Sequence, residues 1–182
     1  MPEKLIHKRG RSNLLGDSVD KVRQSYVPPA EWYASLPTVH VSACMLLTDD
    51  ADRILLVKPN YRPHWAMPGG MVEDGEPPHI CAVREVSEEL GLEVRLGPLL
   101  ALDWTPPMGD RRRPMMHFIF DGGTVIDPSR IRLQREELDA AEFSPWDEAA
   151  TKLPPTSAAR VSAACTARKN QRTIYLPPEQ GR

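Results

Sequence analysis

The chain has 182 residues, of which 41% are hydrophobic and 26% are charged, with a formal net charge of −2 at pH 7. These values are typical of a single globular domain and exclude disorder along the whole chain. The near-neutral charge gives no electrostatic basis for binding a nucleic acid polymer, and no stretch approaches the roughly 20 apolar residues of a membrane span.

The first 36 residues are predicted to be an N-terminal extension. Residues 1–25 are polar and basic without a sustained period, which predicts a mobile tail. The segment from Pro28 to Leu36 predicts a short helix that begins at a proline. We therefore expect an extension over residues 1–36 and a folded domain over residues 37–182. The extension is a candidate contact for a homodimer, an arrangement that no residue pattern establishes.

The middle of the chain predicts a β-hairpin followed by a helix. Val39 to Thr48 and Ile54 to Val57 are β-rich segments joined by an acidic turn, a pattern typical of a hairpin. Pro77 to Leu90 predicts a helix, because prolines occupy its first turn and Gly91 follows its end. Its apolar residues recur at i, i+3 and i+4 and so define one buried stripe, formed by Ala82, Val83, Val86 and Leu90.

The remaining segments alternate between strand and helix patterns. Strands are predicted at Val94–Trp104 and Met115–Phe120, with weaker candidates at residues 131–133, 142–144 and 173–176. Helices are predicted at Trp146–Leu153 and Thr156–Asn170, on either side of a double proline. The alternation follows no strict βαβ rhythm, which predicts an α/β fold with a mixed β-sheet flanked by helices.

Three glutamates near the end of the predicted helix form the most informative cluster. At 100° per residue, Glu85, Glu88 and Glu89 fall within roughly 100° of one another around the helix axis. Like charges at this spacing repel, and the negative end of the helix dipole also disfavours them. Divalent cations that prefer oxygen ligands reverse this argument, because they bind several carboxylate oxygens at close range. The cluster therefore indicates a metal site for a phosphate-bearing ligand.

The segment from Gly70 to Leu92 resembles the Nudix box, G-x5-E-x7-R-E-U-x-E-E-x-G-U with U aliphatic. All of its defined positions are occupied, by Gly70, Glu76, Arg84, Glu85, Val86, Glu88, Glu89, Gly91 and Leu92. The resemblance implies a Nudix-type α/β/α sandwich over residues 37–182 and an enzyme of the Nudix hydrolase family. It further implies a pyrophosphohydrolase that uses Mg²⁺ or Mn²⁺ to cleave the phosphoanhydride bond of a nucleoside diphosphate linked to a group X.

The resemblance also implies roles for individual residues of the box. Glu85 and Glu89 would be metal ligands, Glu88 would be a ligand or hold a bridging water, and the Gly69 carbonyl would complete the metal's coordination. Arg84 would orient the glutamates, and Glu76 would support the junction between loop and helix.

The general base and the substrate stay open at this level. In some relatives the base is a box glutamate, here Glu85; in others it is a carboxylate beyond the box, for which Glu137, in the acidic segment 136–142, is our choice. Nudix hydrolases that prefer ADP-ribose carry a proline about fifteen residues after the box, and Pro107 lies fifteen residues after Leu92. The resemblance therefore slightly favours ADP-ribose or a nucleotide sugar as substrate. The alternatives are a nucleoside triphosphate pyrophosphatase for modified nucleotides and, in another class, a non-catalytic nucleotide-sensing module.

The remaining candidate side chains more often have a structural role than a functional one. Three cysteines, far apart and without CxxC spacing, indicate neither a disulfide framework nor a zinc site and favour a reducing cytoplasm. We expect Cys81 to face away from the carboxylates as inert packing. The same structural expectation applies to the arginine run, to three aromatic residues that are candidates for stacking on a base, and to two histidines: Arg111, Arg112, Arg113, Trp32, Tyr33, Trp104, His64 and His117.

Overall fold

The computed structural model describes residues 26–178 and divides into two units, Met1–Leu36 and Pro37–Arg182. The predicted tail over residues 1–25 lies outside the described residues. In the first unit, helix α1 (Pro29–Ala34) confirms the predicted short helix, and none of its residues is buried. Across residues 26–178, no helix has the length and apolar content needed to cross a bilayer.

The second unit contains a seven-stranded mixed sheet with three helices. Its strands are β1 (His40–Thr48), β2 (Ile54–Pro59), β3 (Gly69–Met71), β4 (Leu99–Thr105), β5 (Met115–Thr124), β6 (Leu138–Ser144) and β7 (Ile174–Leu176). The order across the sheet is β6-β2-β1-β5-β4-β7, with β3 paired to β1. The pairs β1–β5 and β4–β7 are parallel, whereas the other pairs are antiparallel. The predicted hairpin of β1 and β2 is confirmed.

The helices cover the two faces of this sheet. Helix α2 (Pro78–Leu90) packs on one face, while α3 (Trp146–Lys152) and α4 (Pro155–Asn170) pack on the other. Two apolar clusters result, one against α2 and one against α3 and α4. The predicted α/β/α sandwich, with its mixed sheet between helices, is therefore confirmed.

Helix α2 begins and ends where its sequence predicts. Pro78 occupies the first turn, and Gly91 ends the helix in the left-handed conformation, at φ 63°, with its N–H donated to the Ser87 carbonyl. Three of the four residues of the predicted apolar stripe, Ala82, Val86 and Leu90, are inaccessible to solvent, and the fourth, Val83, is half-buried. Helix α2 is thus fixed to the sheet by one face, which leaves the carboxylate-bearing side free for chemistry.

Two strand predictions are wrong in part. The predicted strand at Val94–Trp104 begins only at Leu99. Leu92, Val94 and Leu96 pack against the α2-side core instead of pairing in the sheet, and Pro98 cannot donate to a ladder. Residues 131–133 form no strand. The N–H of Arg132 instead donates to the Leu90 carbonyl at the end of α2. By contrast, β6 starts at Leu138, inside the predicted acidic segment.

Candidate active site

Arg84 connects three glutamates of the box. Its Nε and Nη2 donate to the two carboxylate oxygens of Glu76 at 2.9 and 3.0 Å. Its Nη1 donates to Glu85 Oε1 at 3.0 Å and to Glu88 Oε2 at 2.8 Å. The hydrogen bonds from Arg84 lower the pKa of Glu76 to about 2. Arg84 therefore holds the loop before α2 and two carboxylates of the helix in one fixed arrangement.

Glu89 is the buried member of the carboxylate cluster. Its side chain is only 6% exposed, and its Oε2 accepts the Gly69 N–H at 2.9 Å. Burial raises the pKa of Glu89 to about 8, the charges of Glu85 and Glu137 add to this, and the bond from Gly69 opposes it. Within the described residues Glu89 forms no ion pair, so the protonated form of its carboxyl group is favoured near pH 7.

The two glycines that precede the box helix make room for these carboxylates and for the sheet. A Cβ on Gly70 would lie 2.2 Å from Glu85 Oε1, so only glycine lets that carboxylate approach the backbone. Gly69 has φ +142°, and a Cβ there would lie 2.3 Å from the Ala43 carbonyl oxygen of β1. Gly70 is therefore required by the site, and Gly69 is required by the fold.

The donor set matches a divalent cation in its chemistry but is not assembled around one. Each of the three glutamates on α2 has one oxygen that forms no hydrogen bond with residues 26–178. These oxygens are Glu85 Oε2, Glu88 Oε1 and Glu89 Oε1. No group of three His, Cys, Asp or Glu side chains in that part of the chain is already arranged as a metal cage. Carboxylate oxygens are the donors that Mg²⁺ and Mn²⁺ prefer. A cation bound there would favour the charged form of Glu89, which burial disfavours.

Glu137 lies next to this cluster although it is distant in sequence. It is exposed and immediately precedes β6. Burial raises the pKa of Glu85 from its ordinary value, Arg84 opposes the rise, and the charges of Glu88 and Glu137 add to it. The charge of Glu137 thus acts on both Glu85 and Glu89.

Cys81 is buried, as predicted, but it does not face wholly away from the charged groups. Its Sγ lies 3.6 Å from Arg84 Nη2 and donates to the Met71 carbonyl at 3.4 Å. Burial raises the pKa of this thiol to about 11. Cys81 thus supports Arg84 from the core side as a protonated, unreactive group.

The other candidate residues have mainly structural contacts. Arg111 donates to the carbonyls of Thr105, Pro106 and Arg113, which fixes its own loop. His117 Nδ1 lies 2.6 Å from Ser42 Oγ, and burial lowers the pKa of His117 to about 4. Within residues 37–178, Arg112, Arg113 and His64 are exposed, Trp104 is half-buried, and none of the four forms a hydrogen bond with the carboxylates. In the first unit, Trp32 packs edge-on against Tyr33.

Sequence reasoning missed the residues that place Glu137. Gln134 donates its N–H to the Glu89 carbonyl, and Asn60 bonds the turn that carries Glu137. Both are polar residues in irregular segments, without periodicity or motif. The one available signal in the sequence was Pro59 at the end of β2. Proline has no N–H, so a neighbouring residue must donate the hydrogen bond at this end of the strand.

Comparison with known proteins agrees with this geometry. The NUDIX domain profile matches residues 38–165. NAD-capped RNA hydrolase NudC of Mycobacterium tuberculosis (strain ATCC 25618 / H37Rv) is 30% identical over 152 residues, which cover 75% of this chain and 48% of the relative. Diphosphoinositol polyphosphate phosphohydrolase 2 of Homo sapiens is 41% identical over 63 residues, which cover 34% of this chain and 35% of the relative. The chain thus spans about half of the first relative and about a third of the second.

A solved structure supports the same fold. The crystal structure of a MutT protein from Methanosarcina mazei Go1 has a TM-score of 0.61 at 21% identity, over 75% of this chain and 98% of that one. At this identity the likeness concerns the fold alone. The profile, in contrast, covers most of the chain, including the complete box from Gly70 to Leu92. This chain belongs to the Nudix hydrolase family.

Proposed function

We propose that the chain is a divalent-cation-dependent pyrophosphohydrolase that cleaves the phosphoanhydride bond of a nucleoside diphosphate linked to X. The observation that carries this proposal is the excess of negative charge at one place. Glu85, Glu88 and Glu89 lie on α2, the charge of Glu137 acts on two of them, and Arg84, which bonds Glu85 and Glu88, is also bonded to Glu76. Such a site attracts cations and, through them, a diphosphate.

The cation would be held by Glu85, Glu88 and Glu89, with the Gly69 carbonyl as a further donor, and Mg²⁺ or Mn²⁺ suits these ligands. When bound, it neutralises the diphosphate, polarises its P–O bonds and lowers the pKa of the attacking water. Arg84 keeps Glu85 and Glu88 oriented through its two bonds from Nη1. The preorganised carboxylates then need little rearrangement as charge develops in the transition state.

Glu137 is our choice for the general base. It accepts a proton from water while the water oxygen bonds to phosphorus and the bridging P–O bond breaks, so the leaving phosphate departs with the bonding electrons. Its place beside Glu85 and Glu89 supports this role. Glu85 is the alternative base, and it differs from Glu137 in that one of its oxygens is already bonded to Arg84.

ADP-ribose or a nucleotide sugar is the favoured substrate class. Pro107 supports this class, because Nudix hydrolases that prefer ADP-ribose carry a proline about fifteen residues after the box and Pro107 lies fifteen residues after Leu92. This proline lies in the loop between β4 and β5 that Arg111 holds by three carbonyl contacts. We also propose that the chain acts in the cytoplasm, because Cys44, Cys81 and Cys165 are all free thiols.

A substrate panel tests this proposal. The pure protein is incubated with Mg²⁺ or Mn²⁺ and ADP-ribose, nucleotide sugars, dinucleoside polyphosphates, nucleoside triphosphates or NAD-capped RNA, with a chelator as the control. Release of AMP and ribose phosphate from ADP-ribose supports the favoured class. Nucleoside monophosphate and pyrophosphate from triphosphates support the alternative substrate class instead. Absence of turnover on the whole panel by protein that binds the cation would contradict an enzyme and favour a sensing module.

A further inference from the structure

The segment that carries Glu137 is tied at its start to the box helix. Residues 131–135 run past the C-terminal end of α2 without forming a strand. The N–H of Arg132 donates to the Leu90 carbonyl at 2.7 Å, and the N–H of Gln134 donates to the Glu89 carbonyl at 3.0 Å. Both carbonyls belong to the last turn of the helix, where no intrahelical donor remains. The segment is therefore fixed relative to Glu89.

The other end of the segment meets strand β2 at a proline. Pro59 pairs with Leu138, and the register between β2 and β6 shifts between Lys58 and Pro59. Proline has no N–H, so it cannot donate to the β6 side of the ladder. The next residue supplies the donors: Asn60 N–H bonds the Glu137 carbonyl at 2.9 Å, and Asn60 Nδ2 bonds the Glu136 carbonyl at 2.8 Å.

The turn itself is tight. The N–H groups of Glu137 and Leu138 both donate to the Gln134 carbonyl, at 3.1 and 2.9 Å, and Leu138 is buried in the α2-side core. The Glu137 side chain forms no hydrogen bond with another described residue. The direction of its carboxylate is consequently set by the peptide groups on either side of it, and Asn60 holds two of those carbonyls.

We propose that Asn60 is a positioning residue for Glu137, holding the Glu136 and Glu137 carbonyls so that the Glu137 carboxylate stays beside Glu85 and Glu89. This inference rests on the proposed role of Glu137 as general base. The Asn60 side chain contacts the turn through a backbone carbonyl and bonds none of the box glutamates, so it acts through Glu137 and not on the cation ligands.

The test compares Asn60→Ala with Asn170→Ala, an exposed asparagine at the end of α4, in the full chain with Mg²⁺. Loss of one hydrogen bond to the turn should lower kcat and the single-turnover rate by about three- to tenfold, with KM changed by less than about twofold. Asn170→Ala should match the original chain. Asn60→Asp, which replaces the donor by a carboxylate facing the Glu136 carbonyl, should lower the rate further. Thermal unfolding of each variant checks that the protein is folded.

The decisive measurement is Asn60→Ala in a Glu137→Gln background. If Asn60 acts through Glu137, the second substitution adds no further loss to the slow Glu137→Gln variant. A full multiplicative loss in that background, or an unchanged rate in Asn60→Ala alone, would overturn the positioning role while leaving the base intact. Full activity of Glu137→Gln would instead overturn the proposed base, and the positioning role with it.

Discussion

Helices α2 and α4 cover opposite faces of the same sheet, and their charged residues are compensated in different ways. On α4, Arg160 pairs with Asp103 of β4 and Arg168 pairs with Asp121 of β5, each at 2.6 Å. Each of these two arginines therefore has one aspartate of the sheet as its partner. On α2 the balance is negative, because Arg84 serves three glutamates and Glu89 forms no ion pair within the described residues.

The paired charges of α4 stabilise the fold, whereas the carboxylates of α2 are compensated fully only when a cation binds. A matched pair is stabilised by its partner, so the free energy of folding already contains its compensation. A buried carboxylate without a cation raises the energy of the folded chain until a ligand supplies the positive charge. We therefore expect substitutions on α2 to affect turnover most strongly, and substitutions on α4 to affect stability.

The largest effect is expected for Glu89→Gln. The amide can still accept the Gly69 N–H, so the fold is kept, but the charge that attracts the cation is lost. Turnover should fall by roughly two orders of magnitude or more, while chemical denaturation without metal should show equal or greater stability. Glu93→Gln, on an exposed glutamate just past the box, is the matched control. Normal turnover in Glu89→Gln would contradict its role as a metal ligand.

Gly70→Ala should follow as the next largest effect. Its new Cβ would lie 2.2 Å from Glu85 Oε1, so the carboxylate must swing away from its place beside Arg84. A displacement on this scale should lower kcat/KM by about 10- to 100-fold with a small change in stability. Gly75→Ala controls for the strain of a loop glycine, since its φ is +75° and nothing lies within 4 Å of its Cβ. A kcat/KM reduced equally in both variants would count against the steric explanation.

Arg168→Ala tests the α4 side of the comparison. Arg168 bonds Asp121, Thr48 and the Leu46 carbonyl, so its removal leaves three acceptors without their donor. The free energy of unfolding in urea should fall by about 2–3 kcal/mol. Activity per folded molecule should stay within about twofold of the original. Arg172→Ala, an exposed arginine beyond α4, should change neither quantity, and a large loss of turnover in Arg168→Ala would break the division between the two helices.

The smallest effect concerns acid stability and His117. Burial lowers the pKa of this histidine from 6.5 to about 4, so the folded chain keeps it neutral where the unfolded chain binds a proton. Its contribution to stability is therefore present above pH 6.5 and is lost as the pH falls toward 4. In His117→Gln, the free energy of unfolding should fall less steeply over that range than in the original chain. The exposed His79→Gln is the control, and parallel pH profiles of all three proteins would refute the assignment.

The sequence predicts those parts of the fold that depend on local signals. The ends of α2 follow from Pro78 and Gly91, and its buried face follows from the spacing of Ala82, Val86 and Leu90. The strand at residues 131–133 could not be excluded in this way, because the partners of that segment are carbonyls at the end of α2, about forty residues earlier.

The candidate site shows the same division. The box residues are recognisable by type and spacing. Arg84, which was predicted to orient the glutamates, donates hydrogen bonds to Glu76, Glu85 and Glu88. The sequence does not distinguish Glu137 from the other acidic residues of its segment, because its position relative to Glu89 depends on how β6 pairs with β2. The contribution of Asn60 follows from a register shift in that pairing, which the sequence indicates through Pro59 alone.

The bonds from Arg132 and Gln134 to the last turn of α2 have a consequence for how this enzyme family member can diversify. They connect the segment that carries the proposed base to the helix that carries the proposed metal ligands. Neither of these two bonds involves a residue of the loop between β4 and β5. Insertions or substitutions in that loop can therefore change the proposed substrate site while these two bonds are kept.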